Sequence, residues 1–185
     1  AKNTDPNRTH LNVEYCNEDI KDVYHELFDD ALKRYNDKQT RKDRKIDDYY
    51  EKIRSGKQEK LFHEVILQIG DKDNMGSETM EGQLAAKILD EYMKGFQERN
   101  PTLRVFAAHL HLDEATPHLH IDFIPYVTGS KRGLDTRVSL KQALSSLGFK
   151  GGSRSETELN QWVQSEKQKL AMVMRENEIE WDQKG

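Results

Sequence analysis

The period of the hydrophobic positions changes several times along the chain, and each change predicts an element. After an irregular Asp5-Pro6-Asn7, Leu11 to Tyr15 alternates apolar and polar as a short strand does. Asn17 then opens a helix with Glu18 and Asp19 in its first turn. Ile20, Val23, Tyr24, Leu27, Phe28, Ala31, Leu32 and Tyr35 recur at three- and four-residue spacing, which carries that helix to about Asn36. A charge-dense helix is predicted over Lys42 to Arg54 and is stopped by Ser55-Gly56-Lys57. Leu61 to Ile69 is a core strand, closed by a turn over Gly70 to Asn74. From an N-cap at Ser77, the spacing of Leu84, Ala85, Ile88, Leu89, Tyr92 and Phe96 predicts a helix to about Arg99, broken by Asn100-Pro101.

Leu103 to Leu112 and Leu119 to Tyr126 are two further strands, and a link as short as Asp113-Glu114-Ala115-Thr116-Pro117 forces them to be antiparallel neighbours. Thr128 to Thr136 is a loop rich in glycine and basic residues, Val138 to Leu147 a short helix, and Gly148 to Arg154 a second glycine-rich loop. A capping box, Ser155 to Glu158, starts a last helix carrying Trp162, Val163, Leu170 and Met174. The order β-α-α-β-α-β-β-α-α predicts an α+β fold, a small antiparallel sheet covered by helices.

Composition limits this to one domain over 1–185, with 151–185 as a C-terminal helical extension. At 185 residues and 35% hydrophobic content the chain can bury a single core, and 7 Tyr, 6 Phe and 2 Trp anchor it. One cysteine, Cys16, excludes an internal disulfide or a cysteine-based zinc site and suits a cytoplasmic protein. No apolar run has the length of a membrane span, and the start has no signal-peptide core. The first residue is Ala1, from which a longer gene product is expected.

The net charge of -4 argues against nucleic acid, but its distribution argues for it. Lys33 to Lys60 has eleven basic and six acidic residues, and Ser130 to Arg154 has six basic and one acidic. In the second stretch Lys131, Arg132 and Arg137 stand among glycines with only Asp135 opposing them, as in a loop that contacts phosphates. Arg41, Lys42 and Arg44 are a weaker candidate for the same role in the first.

Four of the seven histidines fall within twelve residues, His109-Leu110-His111 and His118-Leu119-His120, around a tight acidic turn. Residues two apart on a strand share a face, so His118, His120 and Asp122 point the same way, and the hairpin brings the other pair opposite. Three imidazoles can then converge, leaving coordination positions open for water and substrate. Neutral imidazole suits Mn, Co, Ni or Zn better than Mg or Ca. Alternation puts His109 and His111 on one side, and nearness to the turn favours His111. Asp113 is a candidate to orient a ligand and Glu114 a candidate general base.

His111-x-Asp113-Glu114-x-x-Pro117-His118-x-His120, followed by Phe123-Ile124-Pro125-Tyr126, resembles the metal motif of the MobV relaxases, the plasmid mobilisation and recombination (Mob/Pre) enzymes of the HUH endonuclease superfamily. Asn7-Arg8-Thr9-His10-Leu11-Asn12 resembles a second block of that family, and the likeness runs from about Asp5 to Phe149. The resemblance implies nicking of one DNA strand at an origin of transfer, with covalent attachment of a nucleophilic side chain to the 5′ phosphate. It implies a divalent metal, manganese or magnesium, held by His111, His118 and His120, with Asp113 and Asp122 behind them. Glu114 is then catalytic, and Arg8, His10 and Asn12 join the basic stretches in holding origin DNA as single strand and as hairpin or duplex.

The chain departs from the family pattern at the nucleophile. The family's histidine in a His-Asn-x-Arg-like segment is expected before the block that here begins at Asn7, and Val13 stands where some relatives have tyrosine. Tyr15, Tyr49 and Tyr50 are formal alternatives that strand or helix placement explains more simply. The chain is therefore expected to be a metal- and DNA-binding core whose N-terminal segment is missing, cleaved or supplied separately. Two other functions compete with it. A non-catalytic origin-binding module with a structural metal would need a fourth protein ligand, and a hydrolase of small substrates would not need the basic loops.

Overall fold

A computed structural model describes residues 4–69, 80–113 and 115–184. A 3₁₀ turn, Pro6–Leu11, leads into β1 (Val13–Asn17), then α1 (Ile20–Asp37), a 3₁₀ turn at Lys42–Arg44, α2 (Tyr49–Ser55), β2 (His63–Gln68), α3 (Met80–Lys94) and α4 (Phe96–Arg99). β3 (Leu103–His111), β4 (His118–Val127), β5 (Arg137–Val138), α5 (Leu140–Ser146) and α6 (Glu158–Lys184) complete the chain. The strands form one antiparallel sheet in the order β1-β3-β4-β2, with β5 paired to the far end of β4. The α+β expectation holds.

One face of the sheet carries Ala108 and Leu110 of β3 and Leu119, Ile121 and Phe123 of β4. These pack with Ile88, Leu89 and Tyr92 of α3, Phe96 of α4, Leu144 of α5 and Trp162 of α6. The opposite face is covered over one end only, where Val23, Tyr24, Phe28 and Ala31 of α1 and Tyr49 of α2 meet Phe106, Ala107 and Ile124. The rest of that face bears the histidines.

Several boundaries differ from the sequence expectation. The segment before β1 is a 3₁₀ turn in which Asp5 accepts the Asn7 amide, and the strand begins two residues late, at Val13. Helix α1 is capped by Asp19, whose carboxylate accepts the Lys21 and Asp22 amides, and not by Asn17. The charge-dense stretch is not one helix. The Asn36 side chain takes both backbone groups of Ile46, at 2.9 and 2.8 Å, and holds the chain extended there, so α2 starts only after an Asp48 cap.

The helix expected to run to Arg99 is interrupted at Gly95, which separates α3 from α4. Val138, expected as the start of a helix, lies with Arg137 in β5 instead, and Ser139 caps α5. Helix α6 is capped by Thr157, which accepts the Asn160 amide, while Ser153 accepts that of Glu156, so the box at Ser155 is not used. The turn at Gly70 to Asn74 and the Ser77 cap lie outside the described residues. Segment 151–185, expected as an extension, supplies Trp162 and Val173 to the main core.

Candidate functional site

The β3–β4 register opposes His109 to His120 and His111 to His118. Alternation therefore brings four imidazoles to one face, with rings 5.0 Å apart for His111 and His120, 6.2 Å for His109 and His111, and 6.4 Å for His118 and His120. All four are half-buried, between the apolar sheet interior and solvent. Their cross-strand neighbours come from both edges. Glu14 of β1 lies opposite His109, its carboxylate 3.3 Å from Nε2, and Gln68 Oε1 lies 2.8 Å from Nε2 of His118.

Further along the same face, Asp122 stands opposite Glu64 of β2. Burial, and behind it the hydrogen bond and charge of Glu64, pushes Asp122 up to about 7. Its Oδ1 is buried and has no hydrogen-bond partner. A carboxylate oxygen with no donor beside a row of imidazoles is the chemistry of a cation site, and the donor set fits a divalent metal. The cluster is open in its present conformation: among the described residues, no three His, Cys, Asp or Glu side chains close on a common point.

The turn after β3 is clasped by the N-terminal 3₁₀ segment. Asn12 Oδ1 accepts the Leu112 amide at 2.7 Å, Arg8 Nε donates to the Leu112 carbonyl at 3.1 Å, and the Thr9 hydroxyl donates to Asp113 at 3.0 Å. Asp113 is 5% exposed. Its burial pushes the carboxyl up, but hydrogen bonds from Asn12 and Thr9 outweigh this and hold it below the ordinary carboxylate range. Asp113 thus ties the clasp together, and Arg8 and Asn12 spend polar atoms on the backbone next to His111. Glu114 and the side chain of His10 lie outside the described residues.

The alternative nucleophiles stand away from the histidines. Tyr15 is on the opposite face, donating to Asp90 at 2.5 Å. Tyr49 accepts the Val138 amide at the far end of β4, and Tyr50 packs edge-on against Tyr24. Of the basic candidates, Arg41 is paired with Asp43 at 2.6 Å, while Lys42 and Arg44 are exposed on the 3₁₀ turn beside it. Lys131 and Arg132 are exposed, and Arg137 donates from Nε to Ser130.

Sequence reasoning missed Glu14, Glu64, Ile66 and Gln68 as neighbours of the cluster. Ile66 is 54% exposed directly opposite His120. The apolar run of β2 conceals which of its faces is open, so only its pairing with β4 reveals them. It also missed that the two basic stretches meet, the loop before β5 being fastened to α1 by a bidentate Arg34–Asp135 pair at 2.7 and 2.8 Å.

A helix-backed antiparallel sheet that presents two facing His-x-His pairs on a half-open face is the class defined by fold and site. Residues 1–172 match the family model described as plasmid recombination enzyme, Mob_Pre, and the chain belongs to that family. None of the curated proteins compared with the chain matches it. It is similar to solved, Mn-bound structures of the MobM relaxase domain (MOBV; Mob_Pre) in complex with 22-nucleotide oriT DNA of plasmid pMV158. For the crystal at pH 5.5 the identity is 23%, the match covers 95% of this chain and 72% of that one, and the TM-score is 0.48. The corresponding values at pH 4.6 are 24%, 95%, 73% and 0.48. Among the described residues no helix is long and apolar enough to cross a membrane.

Proposed function

We propose that the protein is a metal-dependent relaxase that nicks one DNA strand at the origin of transfer of a plasmid or mobile element, working in the cytoplasm. One observation carries the reading in a chain of this family: two His-x-His pairs in register on a sheet face left open by the helices. His111, His118 and His120 would hold one divalent cation, Mn or Mg. When bound, the metal supplies positive charge to polarise the scissile phosphate.

The chain's own residues supply the rest. Gln68 and Glu14 turn the imidazoles of His118 and His109, Asp113 anchors the clasp that fixes His111, and Asp122 completes the polar row. Glu114 moves the proton of the attacking group. Lys131, Arg132 and Arg137, with Arg41, Lys42 and Arg44, hold backbone phosphates, and Arg8, His10 and Asn12 border the strand near the cluster. The placement of Tyr15, Tyr49 and Tyr50 supports an attacking side chain contributed by a segment other than these.

The test uses the full gene product and a supercoiled plasmid bearing its cognate origin. Mn-dependent relaxation with a protein adduct on the 5′ end is expected, the adduct still forming in a Tyr15→Phe, Tyr49→Phe, Tyr50→Phe triple variant and the reaction slowed in Glu114→Gln with Mn binding retained. Absence of relaxation in Mn would overturn the reading.

A further inference from the structure

The two basic stretches border a single cleft that the histidine cluster does not account for. It lies between α2 and the loop leading into β5, encloses about 600 Å³, and is within the range of small-ligand sites. Its floor is apolar and aromatic, formed by Ile46, Ile53, Leu134, Val138 and the rings of Tyr35 and Tyr49. Its rim is cationic, with Lys52 and Lys57 from one stretch and Arg132 and Arg137 from the other.

Among the described residues, the side chains of Lys52, Lys57 and Arg132 have no ion-pair or hydrogen-bond partner, and the Arg137 guanidinium commits only Nε, to Ser130. Of the lining residues one carboxylate, Glu59, opposes the four cations; burial raises its pKa, and it accepts the Leu140 amide, which leaves its remaining lone pairs for a ligand. The walls are fixed. Arg34 grips Asp135, the Asn36 side chain grips Ile46, and the Tyr49 hydroxyl accepts the Val138 amide at 3.0 Å.

A ligand that satisfies this cleft is flat and apolar on its faces and carries phosphate at its edge. We propose that the cleft takes one unstacked nucleotide of the DNA strand, its base against the Tyr35 ring and its flanking phosphates on Lys57, Arg132 and Arg137. Glu59 faces the base, where it can accept from an exocyclic amino or ring N–H. The inference rests on the DNA-processing reading above and adds a position to it. The cleft adjoins the β5 end of β4, six residues from His120, so the captured base lies about 20 Å from the histidines and is not the one at the scissile phosphate.

The experiment compares the full chain's binding of a fluorescent 15-mer of thymidine with that of the same 15-mer made of abasic sites, across a salt titration. A base-dependent gain of about 10-fold is expected from one stacked base. Tyr35→Ala should abolish that gain and leave the salt slope intact, while Lys57→Ala with Arg132→Ala should lower the slope by about 1.4 and keep the gain. A 4-thiothymidine probe should crosslink to peptides containing Tyr35 or Lys57. Melting temperatures of the variants verify folding. Equal affinity for the two 15-mers, or a gain untouched by Tyr35→Ala, overturns the cleft while leaving the relaxase reading standing; failure to bind either 15-mer overturns both the cleft and the DNA-holding part of that reading.

Discussion

The rings of His111 and His120 meet edge to face at 5.0 Å although the two residues are not direct partners: His120 opposes His109 in the register, and His111 reaches it along the diagonal of the β3–β4 ladder. Diagonal neighbours on an antiparallel pair are within reach of long side chains, so imidazoles from both strands stand side by side on one face of the sheet. The hairpin brings the imidazoles together, and the contacts that stabilise it therefore bear on the proposed function.

Asn12 is the first of these contacts. Its side chain satisfies the Leu112 amide next to His111. In Asn12→Ala that partly buried N–H loses its partner, and we expect a stability loss of about 1–3 kcal/mol in urea denaturation. Mn affinity should fall with it, because the clasp fixes the His111 end of β3. Full stability in Asn12→Ala would assign the N-terminal segment to DNA contact alone.

Helix α6 is integral to the fold by the same kind of argument. Trp162 is 2% exposed, packs against Phe96 and Phe123, and donates from its indole to Asn100 at 2.9 Å. Glu166, one turn on, accepts from the Tyr92 hydroxyl and from Arg99. Trp162→Ala should cost about 3–5 kcal/mol, and deletion of residues 151–185 should abolish the cooperative melting transition. A truncated chain that melts cooperatively at the original temperature would make the segment a separate appendage.

His63 predicts the pH dependence. It lies on β2, stacked 6.0 Å from Phe123, and burial, followed by the charge of Lys60, depresses its imidazole below the ordinary 6.5. The unfolded chain takes up a proton near 6.5 that the folded chain refuses, so this contribution is complete above 6.5 and is lost as the pH falls below it. Urea midpoints measured at pH 7.5 and 5 should therefore separate further in the wild type than in His63→Phe. An equal separation in the two proteins would show that His63 titrates normally.

The hairpin and the common face of the histidines are legible in the sequence because strand alternation and a short link leave one solution. What is not legible follows from long-range contacts. Asn36 overrides the helical tendency of the stretch before α2 by binding the backbone of Ile46, and Thr157 caps α6 in place of Ser155. The apolar run of β2 conceals Glu64, Ile66 and Gln68, whose place beside the histidines depends on pairing with β4. The meeting of the two basic stretches is likewise a product of α1 holding Asp135 through Arg34, a pair 101 residues apart.

The central claim is that His111, His118 and His120 bind one divalent metal on the open sheet face, and Mn titration calorimetry tests it most directly. One Mn per chain is predicted, with most of the affinity lost in each of His111→Ala, His118→Ala and His120→Ala, and a milder loss in His109→Ala. Binding at full strength by the His118→Ala, His120→Ala double variant, with its fold verified by melting, would contradict the account.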